Sequence, residues 1–217
     1  MEQQTSDLPV MDMNETAVPS GPVPGAEKLF TDARTPQAFS PRPVSEDVLR
    51  RLYDLVKLGP TSGNCSPGRF VFLTNQDSRE RIRPALSPGN VERAMSAPVL
   101  AVICQDPLFF ETLPRLGSQE GLRDWFAADV GLSEETAFRN STLEGGYLII
   151  AARMLGLSVM PMSGFDSFMV EDALLAATGW RANFLVGLGY PAENEPHPDH
   201  AAPRAPRLDF GEACLCL

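Results

Sequence analysis

Histidine is almost missing from this chain of 217 residues, which has only His197 and His200. Both lie in a proline-rich acidic stretch, so we interpret them as part of a solvated loop rather than as metal ligands with Asp199. This shortage argues against a hydrolase that pairs a nucleophile with histidine. The motifs Gly-x-Ser-x-Gly and the P-loop are also missing. The Gly-x-Gly at 187–189 lacks the third glycine and the following helix of a Rossmann dinucleotide site.

Positive charge and long apolar runs are scarce as well. The chain has 18 basic and 28 acidic residues, a net charge of -10, and such a surface is repelled by nucleic-acid phosphates and anionic membranes. No stretch approaches the roughly 20 apolar residues of a membrane-spanning helix. The first residues are acidic where a signal peptide is basic. We therefore expect a cytoplasmic protein without nucleic-acid or membrane partners.

The four cysteines fit neither a disulfide framework nor a zinc site. They are Cys65, Cys104, Cys214 and Cys216. We interpret them as reduced thiols, with Cys104 acting as a small apolar residue inside a buried strand.

Helices and strands alternate without a regular βαβ repeat, which predicts an α+β fold. Residues 1–26, rich in Pro, Gly, Ser and acidic residues, are predicted to be a disordered lead, and residues 27–217 a single domain. The first helix begins after the N-cap Ser45 and ends at Gly59-Pro60. Further helices are predicted over 78–86, 133–155 and 169–178, and strands over 70–73, 99–104, 157–160 and 183–190.

The third of these helices is apolar almost all round from Leu143 to Leu155, which predicts a central position. It contains Gly145-Gly146, although each glycine costs a helix about 1 kcal/mol relative to alanine. We expect a compensating close approach of another backbone, within the core or across a dimer axis.

No self-sufficient catalytic cluster is present, so an enzyme of this sequence would rely on a cofactor. Three segments suit cofactor binding: Arg34-Thr35, the loop Pro60–Pro67 with its short polar side chains, and the tail with Arg204 and Arg207. Taken singly, each is also explained as a turn cluster, a capping loop or surface arginines.

Taken together, these segments resemble the FMN-dependent nitroreductase superfamily from about Leu29 to the C-terminus. The matching motifs are Arg34-Thr35, the loop PTSGNCSP at 60–67, Asn90, the turn PMSGFD at 161–166, and the tail arginines. Within the superfamily, LFTDART, GPTSGNCSP, IRPALSPGN, EETAFRNS, PMSGFD and PRLDFGEAC are similar to the malonic semialdehyde reductase (3-hydroxypropanoate dehydrogenase) subfamily of uracil degradation.

The resemblance implies a central mixed sheet flanked by helices, an extended C-terminal tail, and a homodimer with two FMN sites at the interface. Arg34, Thr35, Arg204 and Arg207 would hold the phosphate and ribityl end, and the loop Pro60–Asn64 would approach the ring from the partner chain. The residues that the resemblance assigns to the cofactor are Arg34, Thr35, Gln37, Pro60, Thr61, Ser62, Asn64, Asn90, Pro161, Ser163, Gly164, Arg204 and Arg207. The Ser163 backbone N–H would lie near flavin N5.

The sequence departs from the family pattern at four positions. Relatives often carry basic residues at the positions of Ala33 and Gln37. They often carry a glutamine at the position of Ser66 and an acidic residue at the position of Ser163. With fewer cations near the flavin, we expect weaker FMN retention or a changed potential.

The implied reaction is ping-pong: NAD(P)H passes hydride to N5, and malonic semialdehyde then takes it to give 3-hydroxypropanoate. The sequence does not separate NADH from NADPH, and it identifies no proton donor. Arg123 and Arg139 are candidates to pair the substrate carboxylate, although both also fit surface ion pairs. Two alternatives remain open: a broad nitro- or quinone reductase, and a flavin-binding protein without turnover.

Overall fold

The computed structural model describes residues 25–192 and 203–217. The prediction of a disordered lead lies outside these residues except at Gly25 and Ala26. The interpretation of the segment that holds both histidines lies outside them as well.

The four strands form one sheet in the order β1-β2-β4-β3. They are β1 (Gly68–Leu73), β2 (Val99–Gln105), β3 (Ser158–Met162) and β4 (Arg181–Gly189). The α+β class is confirmed, but all three strand pairs are antiparallel, where a mixed sheet was expected. The strands β2 and β3 do run in the same direction. Because β4 returns between them, they are not neighbours and no parallel ladder forms.

The α-helices are α1 (Glu46–Val56), α2 (Gln76–Glu80), α3 (Pro88–Ser96), α4 (Leu122–Ala127), α5 (Val130–Met154), α6 (Ser167–Val170) and α7 (Phe210–Ala213). Short 3₁₀ helices cover Ser62–Asn64, Arg83–Ala85 and Phe109–Leu116, and π-helical turns cover Glu27–Thr31 and Glu171–Leu175. As predicted, the Ser45 side chain caps α1 by accepting a hydrogen bond from the Val48 N–H.

Several predicted elements and boundaries were wrong, including the following three. The helix α5 begins at Val130 rather than Ser133, because the Asp129 side chain caps it at the Leu132 N–H. The helix α3 was not predicted; it begins at Pro88, since proline is suited to the first helical position. The strand β3 continues to Met162, so Pro161 lies in an edge strand rather than in a turn.

Helices cover both faces of the sheet. One face packs against α1 and α5 through residues such as Leu52 and Leu148. The other packs against the segment around Ile82, against α3, and against Val170 and Leu175. All seven residues of β2 are buried as a result. No helix within the described ranges is both long and apolar enough to span a membrane.

Gly145 does accommodate a close neighbour, but that neighbour is a side chain rather than a backbone. A Cβ at position 145 would lie 2.7 Å from a ring carbon of Phe184 and 3.2 Å from a methyl group of Ile103. Gly146 is exposed and would meet nothing within 4 Å. The sheet therefore requires a glycine at 145, and the fold of one chain gives no reason for the glycine at 146.

Candidate functional site

Two arginines from distant parts of the sequence converge on one short backbone segment. Arg34 donates to the carbonyls of Thr31 and Ala33 at 2.9 and 3.1 Å. Arg204, from the tail, donates to the carbonyls of Phe30, Thr31 and Ala33 at 2.8, 3.0 and 2.9 Å. The predicted meeting of the N-terminal motif and the tail is therefore present within a single chain.

Arg153, in the last turn of α5, is a third cation at this place. It donates to the Leu29 carbonyl at 2.6 Å. Its pKa is lowered, first by burial and then by the positive charge of Arg204. We call Arg34, Arg153 and Arg204 the arginine cluster.

The arginine cluster has no acidic counterpart. Across residues 25–192 and 203–217, no carboxylate forms an ion pair with any of its three members. The Nε atom of Arg34 is buried and has no hydrogen-bond partner within the described ranges. Within the described ranges the three cations donate to carbonyl oxygens, and such a cluster suits an anionic group with several acceptor oxygens, for example a phosphate.

Thr35, Gln37 and Arg207, which were also predicted to bind the cofactor, do not take part in the contacts of the arginine cluster described above. Arg207 is exposed and donates to the neighbouring carbonyls of Ala205 and Pro206 at 2.8 and 3.1 Å. Thr35 and Gln37 are exposed beside Arg34. The structure therefore separates Arg204, which reaches the N-terminal segment, from Arg207, for which it records contacts only within the tail.

The turn after β3 brings Asn90 and Gly164 together. The Asn90 amide donates to the Gly164 carbonyl at 3.0 Å, and the Ser87 N–H donates to the same oxygen at 3.0 Å. A Cβ at Gly164 would lie 2.6 Å from the Asn90 amide nitrogen, so a larger residue here would displace the Asn90 side chain. Ser163 and Pro161 are exposed next to it. Asn90 thus holds the turn in place with the amide that was assigned to the flavin ring.

The loop of residues 60–67 has a strained backbone. Asn64 and Ser66 have φ angles of 54° and 38°, a region that residues other than glycine rarely adopt. The Thr61 hydroxyl accepts a hydrogen bond from the Ser66 N–H at 3.1 Å, and the Asn64 amide donates to the Leu116 carbonyl at 3.1 Å. Such a conformation persists only where the surroundings hold it.

Three side chains of α5 hold this loop, and the sequence analysis did not identify them. Asn140 accepts from the Ser62 N–H at 2.9 Å, and the Tyr147 hydroxyl donates to the Pro60 carbonyl at 2.9 Å. Glu144 accepts from the Gly68 N–H at 2.7 Å. Their spacing of four and three residues places them on one face of the helix. That spacing was a visible signal in the sequence.

Glu144 is a buried carboxyl inside the helix predicted to be apolar. Its side chain is 5% exposed. Burial raises its pKa, and the Gly68 hydrogen bond and the charge of Arg69 oppose that rise. Burial likewise raises the pKa of the nearby Cys65 thiol to about 11, so this thiol is not poised to act as a nucleophile. All four cysteines are free, as predicted, and Cys104 is buried.

The three parts of the candidate site occupy different places on the sheet. The 60–67 loop leads into β1, and the Asn90–Gly164 turn follows β3, so both lie at the same end of the sheet but at its opposite edges. Three strand spacings separate these edges, a distance on the order of 14 Å. The arginine cluster lies at the other end of β3, beside the end of α5.

The two arginines proposed for a substrate carboxylate are already paired. Arg123 binds Glu111 at 2.6 Å and Asp124 at 2.8 Å. Arg139 pairs with Glu135 one helical turn earlier. Both therefore match the surface ion-pair interpretation that the sequence analysis left open.

An α+β fold with a cation cluster and a glycine turn at the two ends of one edge strand suits the binding of a phosphorylated cofactor. Residues 31–190 match the model of the nitroreductase family. The chain belongs to that family. This membership confirms the predicted enzyme class, an oxidoreductase that uses FMN and NAD(P)H.

Solved structures show the same fold at low sequence identity. A nitroreductase family protein of Streptococcus pneumoniae aligns with a TM-score of 0.73 and 19% identity, over 88% of this chain and 98% of its own. A nitroreductase-type protein of Exiguobacterium sibiricum, solved with FMN, aligns with a TM-score of 0.73 and 15% identity, over 90% of this chain and 98% of its own. A Staphylococcus epidermidis protein named as an NAD(P)H:FMN oxidoreductase aligns with a TM-score of 0.74 and 14% identity, over 90% of this chain and 97% of its own.

Proposed function

We propose that this chain is an FMN-dependent NAD(P)H oxidoreductase that reduces a short oxo acid, malonic semialdehyde, to 3-hydroxypropanoate. The observation that carries the cofactor assignment is the arginine cluster, whose cations have no acidic partner in the described residues. When bound, FMN supplies hydride transfer between NAD(P)H and the acceptor.

The residues fit FMN in distinct roles. Arg34 and Arg204 would hold the phosphate through charge-assisted hydrogen bonds. Gly164 leaves room for a planar ring at the turn, since Asn90 and Ser87 fix its carbonyl. The 60–67 loop of a second chain would approach the ring, and the contacts of Asn140, Glu144 and Tyr147 hold that loop in place.

A free cation near this loop supports an acidic substrate. Arg115 is exposed, and it forms no ion pair within residues 25–192 and 203–217. It precedes Leu116, whose carbonyl accepts the Asn64 amide. Arg115 is therefore our candidate to pair the substrate carboxylate.

The purified protein is expected to be yellow and to release FMN, rather than FAD, on heating. With NAD(P)H, its kcat/KM for malonic semialdehyde should exceed that for propanal about tenfold or more, because the neutral aldehyde leaves a cation unpaired. Arg115→Gln should remove this preference and leave turnover of a nitroarene unchanged. Steady-state kinetics with these acceptors and a quinone test the assignment.

A different order of kcat/KM among the acceptors would identify a different function. Higher efficiency with the quinone or nitroarene would support a broad reductase, which the pairing of Arg123 and Arg139 with acids favours. Flavin binding without turnover of any acceptor would support a non-catalytic flavin-binding protein. A colourless protein that does not take up FMN would contradict the whole proposal.

We propose that the functional unit is a homodimer. The 60–67 loop and the Asn90–Gly164 turn lie on opposite edges of the sheet, and a site shared between two chains would bring the loop of one chain to the turn of the other. The exposed Phe138, Leu143 and Gly146 on α5 offer an apolar face for the second chain.

Light scattering is expected to give twice the mass of the chain for the flavin-loaded protein. Two site variants, Gly164→Val in the turn and Ser62→Trp in the loop, should each be inactive alone. Mixing them under conditions of subunit exchange should restore activity, since half of the sites in mixed dimers are then intact. A folded monomer that retains flavin, or no recovery on mixing, would contradict the shared site.

A further inference from the structure

Arg153 has a position that the family motifs do not explain. It lies in the last turn of α5, more than a hundred residues from Arg34 in sequence, yet its guanidinium donates to the Leu29 carbonyl at 2.6 Å. Leu29 immediately precedes the carbonyls that Arg34 and Arg204 bind. Arg153 therefore fixes one end of the segment on which the other two cations converge.

The surroundings of Arg153 oppose its positive charge. Burial and the nearby charge of Arg204 both lower its pKa. Within the described residues, no acidic side chain compensates either arginine. Three cations grouped around one backbone segment, without an acidic partner among the described residues, suit a ligand of opposite sign.

A role as a helix C-cap does not account for Arg153. A cation in the last turn of a helix does interact favourably with the helix dipole. The Arg153 guanidinium, however, donates to Leu29, outside the helix, whereas Lys28 donates to the α5 carbonyl of Met154 at 3.0 Å. The capping role at the end of α5 is thus filled by Lys28.

We infer that Arg153 is a positioning residue for a phosphate dianion: it holds the 29–33 segment and adds a third positive charge to the arginine cluster. This inference rests on the proposed FMN site, but it concerns the phosphate end alone.

The test compares FMN with riboflavin, which has the same ring but no phosphate. Arg153→Gln keeps an N–H donor for Leu29 and removes the charge. It is expected to lower FMN affinity about tenfold and riboflavin affinity less than about threefold. Arg153→Lys, which keeps the charge, should bind FMN within about threefold of the wild type. Flavin fluorescence titrations give these affinities.

The matched control is Arg51→Gln on α1, which removes an exposed arginine that forms no ion pair among the described residues. It should leave both affinities unchanged. Melting temperatures without ligand are measured first, and Arg153→Lys decides the question if Arg153→Gln fails to fold. The inference would be overturned if Arg153→Gln lost affinity for FMN and riboflavin equally. It would also be overturned if Arg153→Lys lost as much FMN affinity as Arg153→Gln.

A second measurement separates this inference from the proposed function. Inorganic phosphate, compared with chloride at equal ionic strength, should raise the melting temperature of the wild type more than that of Arg153→Gln. If this holds while the wild type binds no flavin, the anion site stands and the FMN assignment falls. If phosphate gives the same shift in both proteins, or in neither, Arg153 has no role in binding phosphate.

Discussion

Arg204→Gln is expected to weaken FMN binding about ten- to hundredfold, because charge-assisted hydrogen bonds contribute roughly 1.5–3 kcal/mol. Arg204 reaches three carbonyls of the segment that carries Arg34, so its charge lies where the phosphate would bind. The double variant Arg34→Gln/Arg204→Gln should lose about a thousandfold or more. Equilibrium dialysis with FMN measures both losses.

Arg207→Gln is the matched control for this prediction. The sequence treated Arg204 and Arg207 as equivalent, but Arg207 donates only to the adjacent carbonyls of Ala205 and Pro206 in the described structure. We expect its replacement to change FMN affinity by less than about threefold. A loss at Arg207 that equals or exceeds the loss at Arg204 would contradict the placement of the phosphate at the arginine cluster.

Glu144→Leu is expected to destabilise the protein by about 1–3 kcal/mol, because it leaves the buried Gly68 N–H without an acceptor. A Cβ at Gly68 would lie 2.6 Å from the carboxylate, which shows how tightly the two groups pack. In a domain of this size, that loss corresponds to several degrees of melting temperature. The strained 60–67 loop should become more accessible to proteases in the same variant, since Gly68 directly follows it.

Glu144→Gln is expected to be more stable than the wild type at neutral pH. It retains a carbonyl oxygen for the Gly68 N–H and removes a buried charge. Burial raises the folded-state pKa of Glu144 above its ordinary value of 4.5, so the folded chain binds this proton more tightly than the unfolded chain. The stabilisation from that proton is complete below the ordinary pKa and is lost as pH rises through the raised one.

Denaturant unfolding of the wild type and Glu144→Gln across a pH series tests the direction of this pH dependence. The stability of the wild type relative to Glu144→Gln should fall as pH rises above about 4.5 and become constant once Glu144 is ionised. Parallel curves for the two proteins would show that Glu144 has the same pKa in the folded and unfolded chains.

Several features were determined by local sequence alone. Ser45 caps α1 and Gly156 ends α5 in the left-handed region, because capping depends on residues within one turn of the helix end. The strand β2 and the second half of β4 were recognisable because a strand buried on both faces is a continuous apolar run. The motif residues Arg34, Asn90 and Gly164 were identified by their resemblance to the family.

The partners of these residues were decided only by the tertiary structure. Nothing local to Arg153 indicates that it would meet Leu29 and Arg204, and nothing local to Glu144 indicates that it would bind Gly68. The sequence shows the order of the strands along the chain, but not the insertion of β4 between β2 and β3. These contacts join residues far apart in the chain, so they form only when the whole core packs.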